Sequence, residues 1–133
     1  IDNDGDTDVV VANGAGHVRL LINNVGNRNH WIGLSLVRTA LNASGGGSAQ
    51  SAAPPRPAVG ARVEVVRKSG PTLWRRARAD GSYASSNDPR VLVGLGRSTE
   101  RPRVRVAWPD GRSEEWNDLP IDRYTTLVEG GRK

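Results

Sequence analysis

The apolar residues of this chain fall in short runs that are rich in Val and Trp and are separated by Gly, Asn, Asp and Pro. Runs of this kind are typical of β-strands, whereas the spacing of an amphipathic helix is scarce along the chain. The pattern predicts strands at residues 9–12, 18–22, 31–37, 61–67, 72–79, 91–95, 103–108, 113–116 and 124–128. We therefore expect an all-β fold.

One predicted hairpin has the clearest pattern. In residues 101–106 the odd positions are arginines and the even positions are apolar, as a strand with one buried face requires. Pro109, Asp110 and Gly111 follow, and they favour the first bend, the side-chain cap and the positive φ of a tight turn. We expect residues 103–116 to form a β-hairpin.

One stretch, residues 42–58, has a different composition. It is rich in Gly, Ser, Ala and Pro, with a single charge and no large apolar residue. Such a segment buries too little surface to offset its ordering entropy, so we expect a flexible segment. It either joins two domains or is inserted between neighbouring strands of one.

The composition of the 133 residues excludes several kinds of site. The chain has no Cys, which removes disulfides, thiolate nucleophiles and Cys-based zinc sites. No apolar run approaches the ~18 residues that a membrane-spanning helix needs, so we expect no membrane span. Residues 1–30 hold four acids and two bases, whereas the rest of the chain holds ten acids and 17 bases. The chain therefore combines an acidic start with an arginine-rich remainder.

The acidic residues of the start are concentrated in one segment. Four carboxylates alternate with Asn, Gly and Thr ahead of the apolar run 9–11, and they belong to Asp2, Asp4, Asp6 and Asp8. Carboxylates at alternate positions of a turn with a Gly at its bend are a ligand set for Ca²⁺. An EF-hand would need Glu where Val11 stands, so we expect a calcium-type loop that leads into a strand. The alternative is an Asp-rich turn held by side-chain to backbone hydrogen bonds.

Residues 1–24, IDNDGDTDVVVANGAGHVRLLINN, resemble the last part of an FG-GAP/VCBS-type β-propeller repeat. In such repeats the acidic loop binds Ca²⁺, and the resemblance implies side-chain ligands at Asp2, Asp4 and Asp8 and a backbone carbonyl ligand at Asp6. One repeat cannot close a propeller, and the chain begins inside the motif. We therefore expect a C-terminal fragment of a longer protein, in which the calcium site of this chain is incomplete.

Four blocks in the second half resemble, in their order and spacing, the ASPIC/UnbV domain. They are GARVEV (60–65), GSYASSNDPR (81–90), VLVGLG (91–96) and VRVAWPDGR (104–112). This domain follows FG-GAP/VCBS repeats in cartilage-acidic-protein-like proteins and in many large bacterial proteins. The resemblance implies the end of a repeat at 1–29 and an ASPIC/UnbV-like β domain at 30–129, with 42–58 as a flexible insertion. We expect a partial β-propeller blade followed by a small antiparallel β-sandwich or barrel-like domain.

Aromatic residues and one polar loop are further candidates for specific roles. Residues 81–89 form a candidate recognition loop, with Tyr83, Asn87 and Asp88 as its candidate contact residues. Tyr83 either anchors the core or is exposed for recognition. The remaining large core volume is expected from the four tryptophans, Trp31, Trp74, Trp108 and Trp116.

No motif points to catalysis. The two histidines, His17 and His30, are isolated, and no G-x-S-x-G motif is present. Asp110, Glu114 and Glu115 lie in or beside the predicted hairpin turn, where solvated carboxylates are expected rather than an acid–base pair. We therefore expect no enzymatic activity in this chain.

Two groups of arginines are candidate anion-binding residues. They are Arg75, Arg76, Arg78, Arg101, Arg103 and Arg105. Such arrays can neutralise phosphate or an acidic glycan. Aromatic residues are not interleaved with the arginines, which disfavours nucleic acid.

Together these features predict a non-catalytic, calcium-associated module for binding, adhesion or scaffolding. The resemblance implies a secreted or cell-envelope location and a protein or glycan partner. Two alternatives stay open: an accessory C-terminal module of a larger enzyme, and an anion-binding module that uses its arginine face.

Overall fold

The computed structural model of this chain describes residues 1–38, 54–81 and 83–131. Within these ranges the fold is all-β, as predicted, with one 3₁₀ turn at Gly26–Arg28 and no α-helix. Every predicted strand is present, and a short additional strand, the fourth, was not predicted. The strands are β1 (Val9–Val11), β2 (Arg19–Leu21), β3 (His30–Arg38), β4 (Arg56–Pro57), β5 (Arg62–Val66), β6 (Leu73–Arg76), β7 (Val91–Gly96), β8 (Arg103–Ala107), β9 (Ser113–Trp116) and β10 (Tyr124–Val128).

The first large sheet is built around β3. β7 and then β4 pair with one edge of β3 in antiparallel register. β10 pairs with the other edge in parallel, with Gly33 opposite Tyr124. The domain is mainly antiparallel, as predicted, and this one parallel pair was not expected. It arises because residues 117–123 bring the chain back to the start of β3, where the Asp122 amide donates to the Trp31 carbonyl (2.8 Å).

The second large sheet has the strand order β6, β5, β8, β9, and all its pairs are antiparallel. The predicted hairpin 103–116 is confirmed as β8 and β9. In its turn Gly111 has a φ of +91°, and its amide donates to the Trp108 carbonyl (3.0 Å). The alternation predicted for 101–106 is also confirmed, because the odd positions are exposed and the even positions are buried. This sheet therefore has one core face and one solvent face.

The inward faces of the two large sheets share one hydrophobic core. Its fully buried larger side chains come from both sheets and are Ile32, Leu34, Val63, Val65, Val93, Val104 and Val106. The two sheets thus form a β-sandwich, and the described ranges contain no closed barrel.

β1 and β2 form a separate two-stranded antiparallel sheet. The apolar side chains of both strands are exposed, and they are Val9, Val10, Val11, Leu20 and Leu21. Strands that are apolar at successive positions are typical of sheets covered on both faces.

The prediction that all four tryptophans fill the core is wrong for one of them. Trp31 and Trp108 are buried and Trp116 packs against the core, but Trp74 is 59% exposed. Successive side chains of a strand point to opposite faces, and in β6 it is Leu73 that packs against the core. Trp74 therefore lies on the solvent face of the second sheet.

The end of segment 42–58, which was predicted to be flexible, contains an ordered strand. β4 lies within it and pairs with the end of β3, and the amide of the buried Ala58 donates to the Leu36 carbonyl (2.8 Å). Pro57 fits in β4 because a strand of this short, peripheral kind tolerates a residue without an N–H. Residues 42–53 lie outside the described ranges.

Candidate functional site

Three of the four aspartates of the N-terminal loop are held by hydrogen bonds from backbone and side-chain amide groups. Asp2 Oδ1 accepts from the Asp4 amide and Asp4 Oδ1 accepts from the Asp6 amide, both at 3.3 Å. Asp8 Oδ1 accepts from the Asn23 amide at 3.0 Å. These bonds are of the kind that was expected of an Asp-rich turn. They bring the loop against residues 23–28.

Asp6 differs from the other three, because both of its carboxylate oxygens are buried without a hydrogen-bond donor. Its side chain lies against Gly26, where an added Cβ would be 2.4 Å from Asp6 Cβ. Burial raises the pKa of Asp6 and the charges of Asp4 and Asp8 raise it further, while the nearby backbone amide of Asn27, which forms no well-aligned hydrogen bond, lowers it by less. A carboxylate in this position is destabilised in its ionised form unless a cation or a donor reaches it.

The pKa of one neighbouring aspartate is shifted in the opposite direction. The Asn27 side-chain amide donates to Asp4 Oδ2 (2.7 Å) and lowers the pKa of Asp4. The backbone amide of Asn23 holds Asp8 on the opposite side of the loop. Asn23 and Asn27 were not predicted as part of this loop, although both are short polar residues ahead of β3.

The loop has few grouped acidic side chains with which to hold a metal ion. Within residues 1–38, 54–81 and 83–131, no three side chains of His, Cys, Asp or Glu are grouped so as to hold one. Asp6 nevertheless fits a hard cation, because carboxylate oxygens without a donor are the ligands that Ca²⁺ prefers. The Asp6 side chain is therefore the group placed to bind a cation. The family resemblance had instead implied that Asp6 binds through its backbone carbonyl.

The N-terminal loop packs on the first large sheet. Gly5, with a φ of +104°, lies so close to the Trp31 indole that an added Cβ would be 2.0 Å from its Nε1 atom. Arg90 Nη2 donates to Asn3 Oδ1 (2.8 Å), and the same guanidinium lies 4.0 Å from the centroid of the Tyr124 ring. Trp31 and Tyr124 contact each other edge to face, with centroids 5.2 Å apart. The loop and the sheet therefore meet on an aromatic surface.

Of the three candidate contact residues in the recognition loop, one is fully exposed and two form contacts within the chain. Tyr83 is 98% exposed, which settles the alternative between core anchor and exposed residue in favour of exposure. The Asn87 amide donates to the Ala79 carbonyl (2.7 Å). Asp88 Oδ2 accepts from Arg90 Nε (2.6 Å), and this contact lowers the pKa of Asp88.

The solvent face of the second sheet, here called the outer face, carries charges of both signs. Strand register and alternation place ten side chains on it: Arg62, Glu64, Val66, Trp74, Arg76, Arg103, Arg105, Ala107, Ser113 and Glu115. Two of the predicted arginines on this face have carboxylate partners. Arg105 lies 3.9 Å from Glu64 and Arg103 lies 3.8 Å from Glu115. Their charges are therefore partly neutralised within the sheet.

At the β6 edge of the outer face, Arg62 and Arg76 stand directly opposite each other. In the described part of the chain neither forms an ion pair with a carboxylate. Trp74 lies on the same face, two residues before Arg76 on β6. Sequence reasoning missed Arg62 and Trp74 as site residues, because their position beside Arg76 depends on the register of two strands.

The other predicted arginines lie elsewhere. Arg75 follows Trp74 on β6 and points to the opposite side, where its Nη1 donates to the Trp74 carbonyl (2.8 Å). Arg78 and Arg101 are exposed and lie outside the strands. The six predicted arginines therefore do not form one surface.

The acidic residues near the hairpin turn have structural contacts. Glu114 Oε2 accepts from the Trp108 indole N–H (2.6 Å) and from the Gly130 amide (3.1 Å). Glu115 faces Arg103 and Asp110 faces Arg112. These contacts account for the positions of the three carboxylates.

In the described ranges no helix has the length and apolar character to cross a membrane. Comparison with curated proteins gives no match. The family model described as "ASPIC and UnbV" matches residues 50–133, which is more than half of the chain. The match covers the second large sheet, β7 and β10, together with the candidate recognition loop and most of the arginines. The chain belongs to the ASPIC and UnbV family.

Proposed function

We propose that this chain is a non-catalytic binding module of an extracellular or cell-envelope protein, and that its N-terminal loop binds Ca²⁺. The observation that carries the calcium proposal is the Asp6 carboxylate, whose two oxygens are buried without a donor. A cation beside it would compensate both its desolvation and its repulsion by Asp4 and Asp8. Membership of the ASPIC and UnbV family supports the proposal of a non-catalytic module of extracellular type.

The Asp6 carboxylate would be the anchoring ligand, and backbone carbonyls of the loop and water would complete the coordination, because no three acidic side chains of the described residues are grouped around one point. Ca²⁺ bound there would supply charge neutralisation and would rigidify the loop. Because the loop contacts Trp31 through Gly5 and Arg90 through Asn3, its rigidity would be transmitted to the first large sheet. In this proposal the metal has a structural role and takes part in no reaction.

We further propose that residues 1–29 are the end of an FG-GAP/VCBS-type repeat. The β1–β2 hairpin supports this, because a two-stranded sheet with apolar residues exposed on both strands is marginal by itself and suits packing within a larger sheet. The division of the chain at residues 29 and 30 remains a prediction.

Calorimetric titration with CaCl₂ and thermal unfolding in CaCl₂ and in EDTA test the calcium proposal. Binding to the folded state alone stabilises it by about 2.7 kcal/mol when the free ion is at roughly 100 times its Kd. We expect Tm to rise with the concentration of Ca²⁺ and to respond less to Mg²⁺, which accepts this irregular geometry less readily. The absence of both heat and a rise in Tm over EDTA would exclude a calcium site in this chain.

The variant Asp6→Asn distinguishes a metal ligand from an ordinary acidic residue. In EDTA we expect its Tm to exceed that of the unmodified chain, because a buried carboxylate without a partner is replaced by a neutral amide. In CaCl₂ we expect the rise in Tm to be lost. Asp80→Asn, at an exposed position outside the loop, removes the same charge and should keep the calcium response. An Asp6→Asn chain that responds to Ca²⁺ normally would rule out Asp6 as a ligand.

A further inference from the structure

We propose that the β6 edge of the outer face, formed by Arg62, Arg76 and Trp74, binds an acidic polysaccharide. This inference deepens the binding role proposed above by giving it a ligand class and a site. It does not depend on the calcium loop, which packs on the other large sheet.

Two arginines form a pair of like charges at this edge. Arg62 and Arg76 are directly opposite in the register of β5 and β6, and like charges in that position destabilise a sheet. Among the described residues, no carboxylate lies within ion-pair distance of either guanidinium. On the other side of Arg62 the facing residue is the small Ala107, which leaves space above the sheet. An anion bound between the two guanidiniums would relieve their repulsion.

The other two arginines in the strands of the outer face are paired with carboxylates. Arg103 and Arg105, on the same face, each have a glutamate partner at 3.8–3.9 Å. The sheet therefore neutralises two of its arginines and leaves the other two for an external partner. The site lies at one edge of the face and does not extend along the Arg101, Arg103, Arg105 series that the sequence suggested.

An exposed indole lies beside these charges. Trp74 is 59% exposed and stands two residues from Arg76 on the same face, a separation of about 6.7 Å along a strand. An indole presents a flat apolar surface, on which the C–H face of a sugar ring can stack. A carboxylate or sulfate group on the sugar or on its neighbour would then reach the guanidiniums, which bind such groups through two parallel hydrogen bonds.

The position of Glu64 favours a glycan over a nucleic acid. Glu64 lies opposite Trp74 and is 20% exposed. Its carboxylate can accept hydrogen bonds from sugar hydroxyls but would repel a continuous phosphate backbone. The edge also offers one stacking residue, whereas proteins that bind single strands stack successive bases on several aromatics.

Binding to four polymers tests the proposal, with heparin as the sulfated probe, polygalacturonate as the carboxylated probe, dextran as the neutral control and oligo-dT as the phosphate control. Affinities are measured by tryptophan fluorescence and affinity electrophoresis at about 0.15 M salt, where the screening length is about 8 Å. We expect binding to heparin, to polygalacturonate or to both, and the preferred polymer identifies the anionic group. Binding of dextran, or of oligo-dT as tightly as either acidic glycan, would overturn the proposal, as would binding of none of the four.

Matched variants assign the site. Arg62→Ser with Arg76→Ser and Arg103→Ser with Arg105→Ser remove the same charge from the same face. We expect the first pair to weaken binding by at least tenfold and the second pair by less than threefold. Equal losses in the two double variants would show general attraction to a polyanion and would overturn the site.

The indole is tested separately. We expect Trp74→Ala to weaken binding roughly tenfold and Trp74→Phe to restore most of it, because a flat aromatic surface is retained. Thermal unfolding of each variant checks that the exposed positions leave the fold intact. An unchanged affinity in Trp74→Ala would exclude stacking. All titrations are run in EDTA and repeated in CaCl₂, so that failure of the calcium site and failure of the glycan site are read independently.

Discussion

At the scale of single residues, the surroundings of each side chain decide its role more than its type does. Trp108 is buried, donates its indole N–H to Glu114 and packs edge to face on Trp116, with centroids 6.2 Å apart. Trp116, on β9, packs against the core, whereas Trp74, on β6 of the same sheet, is exposed beside two arginines. A tryptophan in a β-strand thus becomes core or surface according to the face it is on, which a one-residue change of register would reverse.

Asp110 provides a pH-dependent prediction at this scale. The amide of Arg112 donates to Asp110 Oδ1 (2.9 Å), and this bond, with the Arg112 guanidinium, lowers the pKa of Asp110 below 3.8. Because the folded-state pKa is the lower one, the contact stabilises the fold above pH 3.8 and is lost as pH falls through the folded-state value. We expect Asp110→Asn to lower Tm near neutral pH and to show a shallower decline of Tm below about pH 4.

Thermal unfolding of both chains from about pH 2 to 7 checks this expectation. The Asn side chain keeps an oxygen that can accept from the backbone amide of Arg112, so the variant removes only the negative charge of residue 110. The matched Asp80→Asn variant should retain the steeper decline. Parallel Tm curves for Asp110→Asn and the unmodified chain would contradict the prediction.

At the scale of secondary-structure elements, β3 is the strand with the most constraints. Ile32 and Leu34 face the shared core, while Trp31 and Gly33 face the aromatic surface under the N-terminal loop. Both faces of β3 are therefore covered, and both edges are paired. A strand that is covered on both faces and paired on both edges has little space for added atoms.

Gly33 is the position where this constraint is tightest. An added Cβ would lie 2.4 Å from Tyr124 Cδ1 and 2.8 Å from the Trp31 ring, so the parallel pair with β10 would have to shift. We expect Gly33→Ala to destabilise the chain by about 1–3 kcal/mol, as overpacking in a core does. Gly94→Ala, on the adjacent β7 with nothing within 4 Å of the added Cβ, serves as the control in urea unfolding. Similar midpoints for the two variants would show that the close approach is not a constraint.

Local patterns explain which elements were predictable. The β8–β9 hairpin was predicted because alternation and the Pro109–Gly111 turn lie within a few residues of each other. The parallel β3–β10 pair and β4 were not, because they depend on partners distant in sequence and on edges left open by other strands. For the same reason the sequence indicated the acidic loop but not its contacts with Trp31 and Arg90, and it indicated Arg76 but not Arg62 opposite it.

At the scale of the whole molecule, the N-terminal loop covers an aromatic surface that would otherwise be open. Trp31 is only 6% exposed, and Gly5 lies directly on its indole. The charged end of Arg90 lies between the Tyr124 ring and Asn3. Contact between the loop and the sheet thus depends on a glycine and an arginine as much as on the aspartates.

We expect Gly5→Ala to undock the loop without unfolding the sandwich. The added Cβ would overlap the Trp31 indole, and the φ of +104° is unfavourable for alanine. Hydrogen exchange of the Trp31 indole N–H, followed by NMR, should accelerate while amides of β5 and β8 keep their protection. Gly14→Ala, with nothing within 4 Å of the added Cβ, is the control. An unchanged indole exchange rate would contradict the docking of the loop by Gly5.

The parallel pairing of β10 with β3 also has a consequence during synthesis. Gly33 and its partner Tyr124 are 91 positions apart, so one edge of the central strand lacks its neighbour until nearly the whole domain has left the ribosome. Contacts between such distant residues slow folding, and an unpaired strand edge can recruit other chains. A nascent or truncated chain that ends before β10 would therefore carry an open edge at the centre of its first sheet, at the place where aggregation would start.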